Sequence, residues 1–589
     1  MSKATSYCGG IPAMSFTSIS FLWFLAAFLT VYGLCPARWR RYLLPLGSLV
    51  FMALGSVRVY FYLAVFLTVY ALCPAHWRRY LLLLGSAVFL AVASGLFHSA
   101  ADSERPAFFA LGFTLTNLLL GDCIAQGTNR KLMLSIAVAI DAMFLVTFKL
   151  ANAGLSGSSF YLFSFMAYLV EVYRGTVQAE TDLIRFANYS LFFPKFTQGP
   201  ITRYSEMAEQ LDKPQITAAG IQRGLEEFTL GFVLKMLVVD KLGVLFGGAY
   251  YDLRTIGYQY VSTDLAWLAA VVTSLHIYLE WIAYMYMALG LAGILGFKLP
   301  QNFNYPFTAR TVGDYYRRWH MTLTRWFKDF IYIPLGGSRK DLGKTVVNVL
   351  FVWLLTSLWH GNGLAPKYLL WGLAAGAAVI LDPLCYDRLT KQSRNPGYGL
   401  RLLGHLPLWL LLFVTVLVLR QAANGFNFIL WGMGIGLLIV LERLWKTFVT
   451  ERLQMRKRFG EDTLLGKIWK GFTSVMAHLW VVVTMVLSWV VFTIRDYDQL
   501  KLFFSRLFPA AGESGGIANG NFSDRWPSLC PWVIIGVLFC FPVMDRLFRL
   551  VRRSRMGSWI LSAILAGLFW YAIYVLIEHG SDPMGYAAF

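Results

Sequence analysis

The chain has 589 residues, of which 57% are hydrophobic, 16% aromatic and only 14% charged. Soluble chains carry nearer a quarter charged residues, so this composition excludes a soluble globular protein and points to an integral membrane protein. The net charge of +20 comes from 52 Lys+Arg against 32 Asp+Glu; the basic residues cluster between apolar runs, as cytoplasmic loops do, and no nucleic-acid partner is expected.

The first apolar run, Ser15 to Cys35, is longer than a signal-peptide core of about 7–15 residues and reads as a retained span. Further candidate spans lie near 43–57, 59–73, 80–97, 107–125, 132–150, 158–173, 225–249, 263–295 (with a break allowed for), 345–360, 368–384, 405–420, 427–441, 475–494, 531–545 and 557–577. These runs are continuous rather than alternating, which excludes a closed β-barrel. The expected fold is an all-α, polytopic integral membrane bundle with re-entrant or interfacial helices.

One repeat is plain. "FLTVYGLCPARWRRYLLPLGSLVF" at 28–51 recurs as "FLTVYALCPAHWRRYLLLLGSAVF" at 66–89, offset by 38 residues. Both copies set a W-R-R turn between apolar runs. A repeat can mark a transporter built from related halves, but this duplication is local and has no counterpart in the second half. The seven cysteines, Cys8, Cys35, Cys73, Cys123, Cys385, Cys530 and Cys540, show no metal-ligand spacing and read as small hydrophobes. Near the C-terminus, basic stretches (443–470 and 546–555) alternate with the polar 496–527 stretch and a tail bearing Glu578 and Asp582. Positive-inside bias then turns that polar stretch and the C-terminus outward.

The segment "YYRRWHMTLTRWFKDFIYIPLGGSRK" at 315–340 is unusually charged for this chain. Read as one helix, Asp314, Arg318, Arg325 and Asp329 share a stripe, and Tyr315, Trp319, Leu323, Trp326 and Phe330 share another. Such a helix lies along an interface or lines a wet cavity, and its bland role would be to hold lipid headgroups. His320 falls between the stripes, and "IPLGGSR" then breaks the helix. His360 ends the apolar run "VVNVLFVWLLTSLWHG", roughly 24 Å along the axis from Lys344. Ionisable residues at that depth are costly and functional by default, although a neutral histidine bonded to a carbonyl is the structural alternative. Neutral imidazole is cheap to bury and suited to taking a proton near neutral pH. The chain contains no serine elbow, Walker loop, dinucleotide fingerprint or paired metal ligands, so the two histidines are the candidate constellation.

"NFNYPFTARTVGDYYRRWHMTLTRWFKDFIYIPLGGSR", followed by "SLWHG" and "LLWG", resembles the core of the membrane-bound O-acyltransferase superfamily, with the bacterial alginate O-acetyltransferase branch as its closest likeness. "RRYLLLLGSAVF", "FKLANAG", "GSSFYLFSFMAYLVEVYRG", "FFPKFTQGPITRYSEM", "RGLEEFTLGFVLKMLVVDKL" and "WVVFTIRDYDQL" resemble further blocks in the same order. The resemblance implies N-terminal spans over 1–105, a catalytic core over 106–385, and C-terminal helices over 386–589 with an outward polar loop near 496–530. It implies His360 as general base, drawing the proton from an acceptor hydroxyl, and His320 as its assistant in positioning or proton relay. Asn302, Arg318, Trp319 and Trp359 match motif positions that shape the substrate site. The implied co-substrate is acetyl-CoA or another acyl thioester, with no bound cofactor or metal. The implied partners are membrane lipid, an acyl-CoA or acyl-carrier donor, an extracytoplasmic acyltransferase and a polysaccharide acceptor, at a bacterial cytoplasmic membrane. Histidine could act as base or as nucleophile, and no donor for the thioester oxygen is identifiable in the sequence.

Two departures stand out. The family's usual "QIYFDFSGYSDMAIG" reads "HIYLEWIAYMYMALG" at 276–290, so Glu280, Ala283, Met285 and Tyr286 replace an aspartate, a glycine and a Ser-Asp pair. The link from His360 to "LLWG" is about two residues longer than usual. Within the superfamily the alternative is D-alanyl transfer to teichoic acid; outside it, a transporter or lipid-binding scaffold without chemistry.

Overall fold

The computed structural model describes residues 15–53, 57–94, 105–150, 157–196, 198–243, 261–337, 342–360, 463–494, 497–509 and 521–581, with isolated positions between 431 and 442. Every helix or strand assigned among these residues is helical, as the continuous apolar runs predict. In chain order the longer helices are α1 (Ile19–Leu34), α2 (Ala37–Ala53), α3 (Val57–Leu72), α4 (Arg78–Ala93), α5 (Arg105–Gln126), α6 (Arg130–Leu150), α7 (Ser158–Arg174), α8 (Leu183–Ser190), α9 (Tyr204–Asp212) and α10 (Ala218–Val233). Then come α11 (Thr263–Ile294), α12 (Val312–Arg318), α13 (Met321–Phe327), α14 (Leu342–His360), α15 (Leu464–Thr493), α16 (Tyr497–Leu507), α17 (Asn521–Phe539), α18 (Val543–Val551) and α19 (Arg555–His579). Among the described residues α5, α6, α11, α15 and α19 are long and apolar enough to cross a membrane, and the α17–α18 pair bends by 79°.

One open point is settled and two details depart from the sequence reading. The run at 263–295 is one uninterrupted helix, α11, of 32 residues. The polar stretch at 496–527 is not all loop: α16 lies within it, burying Leu500, Phe503 and Leu507 on one face. The long amphipathic helix expected through 315–330 is broken at Trp319–His320 into α12 and α13, and a π-turn over Lys328–Tyr332 follows. The candidate spans at 368–384 and 405–420 lie outside the described residues, as does most of 427–441.

The chain divides into two compact units. The first comprises residues 1–237, 281–301 and 558–581, and it contains the duplicated hairpin. Each copy caps its own turn in the same way. The Arg40 Nε donates to the Cys35 carbonyl at 2.9 Å and the Arg78 Nε to the Cys73 carbonyl at 3.2 Å. Each guanidinium also lies over a tyrosine ring, Arg40 over Tyr32 and Arg78 over Tyr70. The helix crossings repeat as well: a Cβ at Gly47 would meet the Phe28 ring at 2.3 Å, and one at Gly85 would meet Phe66 at 2.3 Å. Trp39 and Trp77 stay exposed beside these turns, as aromatic residues do at a membrane–water interface.

In the same unit α10 crosses the C-terminal half of α11 at backbone contact. A Cβ at Gly231 would lie 2.4 Å from the Ala283 carbonyl oxygen, and one at Gly290 would lie 2.4 Å from the Phe228 nitrogen. Ala283 stands at the position that the resemblance gives to glycine, and the close approach is carried by Gly231 on the opposite helix. Residues with side chains would push two backbones apart rather than displace a flexible ring. Gly231→Val is therefore expected to destabilise the protein by at least about 1–3 kcal/mol, read as a lowered melting temperature in detergent. Gly33→Ala, at a helical position where an added Cβ meets nothing within 4 Å, should melt no lower than wild type.

Candidate active site

The second unit comprises residues 238–280, 302–557 and 582–589, and it holds the segment around His320. Thr311 starts α12 by accepting the Asp314 N–H on its hydroxyl at 3.0 Å, a conventional N-cap. The helix then runs for only 7 residues. It stops because an upstream segment competes for its backbone: the Asn304 N–H donates to the Arg318 carbonyl at 3.0 Å, and the Met321 N–H donates to the Asn302 carbonyl at 2.8 Å. Between those two bonds His320 takes φ 47° and ψ 52°. Left-handed backbone costs an L-residue about 1–2 kcal/mol, and histidine is among the residues that visit it more often.

His320 opens α13 as its N-cap but supplies no capping side chain. Asn302 does that work from another segment. Its Oδ1 accepts the Thr322 N–H at 3.1 Å and the Thr322 hydroxyl at 2.9 Å. Asn302 is 1% exposed and Thr322 3%, so these bonds are shielded from water.

The break sends neighbouring rings to different surroundings. Trp319 stacks on Tyr315 with centroids 5.7 Å apart and lies 5.0 Å from Trp489. The Trp489 Nε1–H in turn donates to the Tyr315 hydroxyl at 3.1 Å, and Phe303 meets Trp319 edge-on at 5.0 Å. His320 instead lies edge-on to Trp359, with centroids 5.8 Å apart and planes at 87°. Only 6% of His320 is exposed. Burial pushes its imidazole down to about 4, because desolvation penalises the charged form; the ring is neutral at physiological pH.

Trp359 is the penultimate residue of α14, and His360 ends that helix. The His360 side chain lies outside the described residues. The start of α14 is tied down by Asn348, whose Nδ2 donates to the Leu335 carbonyl at 3.1 Å and the Gly337 carbonyl at 3.3 Å. Gly336 and Gly337 have φ 109° and 56°, so the "IPLGGSR" turn breaks the helical path as its sequence predicts.

Of the candidate site residues, the structure brings His320 and Trp359 into ring contact and sets Asn302 against the residues that follow His320. Trp319 belongs to the aromatic cluster beside them. The Arg318 guanidinium turns elsewhere, donating to Asp314 at 2.9 Å and to the Thr308 hydroxyl at 3.0 Å. Two charged residues, one in each unit, were not singled out in the sequence. Glu442 accepts the Val312 N–H at 2.8 Å and the Trp480 Nε1–H at 3.0 Å, anchoring the start of α12. In the first unit, Lys195 is 5% exposed, with its Nζ 3.7 Å from the Tyr189 ring centroid. Burial pushes its ammonium down to about 7. A lysine inside the oily "FFPKF" run was the available signal.

The backbone strain at residue 320 can be separated from the chemistry of its ring. His320→Gly removes the left-handed penalty, and His320→Ala keeps it. The glycine variant is expected to be the more stable of the two by about 1 kcal/mol, read by thermal unfolding in detergent; an alanine variant of equal or greater stability would show that position 320 is unstrained.

Comparison with known proteins fits this site. Residues 131–415, which include both histidines, match MBOAT, the membrane-bound O-acyltransferase family. The chain is 31% identical over 332 residues to the probable alginate O-acetylase AlgI of Pseudomonas putida, covering 52% of this chain and 67% of that protein. It is 33% identical over 217 residues to the peptidoglycan O-acetyltransferase of Helicobacter pylori, covering 36% and 40% respectively. It is 26% identical over 249 residues to the teichoic acid D-alanyltransferase of Bacillus subtilis, covering 41% and 60%. The chain spans about two thirds or less of each of these relatives. A multi-pass architecture that is all-helical among the described residues, a buried histidine at a broken helix and this degree of likeness lead to one conclusion: the chain belongs to the membrane-bound O-acyltransferase family and is an acyltransferase of that family.

Proposed function

We propose that the protein moves an acetyl group from a cytoplasmic thioester, acetyl-CoA, across a bacterial cytoplasmic membrane for O-acetylation of an extracytoplasmic polysaccharide, with an acyltransferase on the outer face as its partner. The observation that carries this reading is the contact between the His320 ring and Trp359, the residue before His360, within the stretch that matches the acyltransferase family. The likeness to alginate and peptidoglycan O-acetylating proteins supports acetyl as the group moved.

In this reading His360 takes the proton from an acceptor hydroxyl as its oxygen attacks the thioester carbonyl carbon. The C–O bond forms, the C–S bond breaks, and the proton passes to the departing thiolate, leaving an ester and a free thiol. His320, neutral at physiological pH, positions the reacting groups or relays the proton. Trp359 and Asn302 wall the site, Trp319 packs in the aromatic cluster beside it, and the Arg318 guanidinium is held by Asp314 and Thr308. The likeness to a teichoic acid D-alanyltransferase supports a second reading, D-alanyl transfer from a carrier-protein thioester; its lower identity ranks it behind acetyl.

His360→Ala should abolish O-acetylation of the polysaccharide in cells while membrane insertion and expression stay normal; O-acetylation at the wild-type level would remove His360 from the reaction. A second expectation concerns donor length. Ala283 and Met285 are buried in the divergent block of α11, at positions that the resemblance gives to glycine and serine. Octanoyl-CoA should therefore fail as donor for the purified protein under conditions where acetyl-CoA is consumed, and equal use of both donors would show that the block does not restrict chain length.

A further inference from the structure

The acyl-transfer reading leaves one requirement without a residue. As the hydroxyl attacks, negative charge develops on the thioester oxygen, and a fixed donor is needed to meet it. Asn302 presents one.

Its amide has a single chemically sensible orientation. The Thr322 backbone N–H can only donate, so the Asn302 atom that faces it at 3.1 Å must be the oxygen. The Thr322 hydroxyl reinforces that choice at 2.9 Å. The Nδ2 therefore points the other way. It is buried and meets no acceptor among the described residues, although Asn302 as a whole is 1% exposed. Leaving a buried amide donor unmatched costs about 1–3 kcal/mol. The Asn302 carbonyl also accepts the Met321 N–H, so one residue grips both positions that follow His320, and its spare donor is fixed relative to that histidine.

Resting on the acyl-transfer reading, we propose that the Asn302 Nδ2–H donates to the carbonyl oxygen of the acyl thioester and stabilises it as it becomes an oxyanion. A capping role alone would use Oδ1 and would be served equally well by a carboxylate. Catalysis by Nδ2 needs the amide.

Asn302→Asp separates the two. Aspartate keeps an acceptor for both Thr322 donors and loses the Nδ2–H. With wild type and variant in lipid vesicles, acetyl-CoA as donor, and the polysaccharide acceptor with its outer-face partner supplied, kcat should fall about 10²–10³-fold while KM for acetyl-CoA changes little. An unchanged kcat overturns the assignment and leaves the acyl-transfer reading standing. A wild-type protein that consumes no acetyl-CoA brings down both. Should the aspartate variant fail to insert, isotope-edited infrared spectroscopy of carbonyl-13C acetyl-CoA bound to wild type decides the matter. A carbonyl band shifted to lower wavenumber than in an apolar solvent supports the donor, and an unshifted band overturns it.

Discussion

Two backbone hydrogen bonds and one side-chain cap set the geometry on which the site depends. The Asn304 N–H to Arg318 bond and the Met321 N–H to Asn302 bond lie on either side of His320, and the Asn302 amide oxygen holds Thr322 just beyond it. Without them, residues 312–327 would have every local reason to continue as one helix, with Trp319 and His320 about 100° apart around a single axis. With them, Trp319 is committed to the ring cluster of Tyr315 and Trp489, and His320 to Trp359. The balance is reasonable in magnitude. Left-handed backbone at His320 costs about 1–2 kcal/mol, and each hydrogen bond returns a net of about 0.5–1.5 kcal/mol, so three or four of them offset the strain.

The first unit shows a different economy, in which glycine and duplication shape helix contacts. Both copies of the repeated hairpin keep their internal contacts: an arginine folded back on the turn carbonyl, and a phenylalanine laid across a glycine. Their outward contacts differ. Arg41 pairs with Asp182, whereas Arg79, its counterpart, pairs with Asp122. Such half-exposed ion pairs contribute little to stability, so they orient the hairpins rather than hold them. The load at the α10–α11 crossing falls on backbone contact at Gly231 and Gly290.

What the sequence revealed follows from how local each signal is. Apolar runs, basic turns and the Pro-Gly-Gly stop at 334–337 carry their information within a few residues, and the helices stand where those signals put them. The break at His320 was illegible because its cause lies at Asn302 and Asn304, a separate segment whose hydrogen-bonding groups look unremarkable in a string of letters. The two stripes of 315–330 are those of one continuous helix, since both halves are helical and differ only in the turn between them. The short α16 was readable in principle: Leu500, Phe503 and Leu507 fall on one helical face, but Gly- and Asn-containing residues further along made the whole stretch look like loop. Glycine contacts such as Gly231 with Ala283 are invisible in one sequence, because a glycine does not name the backbone it approaches.

The central claim is that the strained His320 and the helix ending in Trp359 and His360 form one reaction site. Its most direct test is an experimental structure of the protein in lipid that places the His360 ring. The expected result is an imidazole turned toward the His320 ring, with both rings reachable from one bound acyl thioester. A His360 ring facing lipid, or walled off from His320 by packed side chains, would contradict the claim.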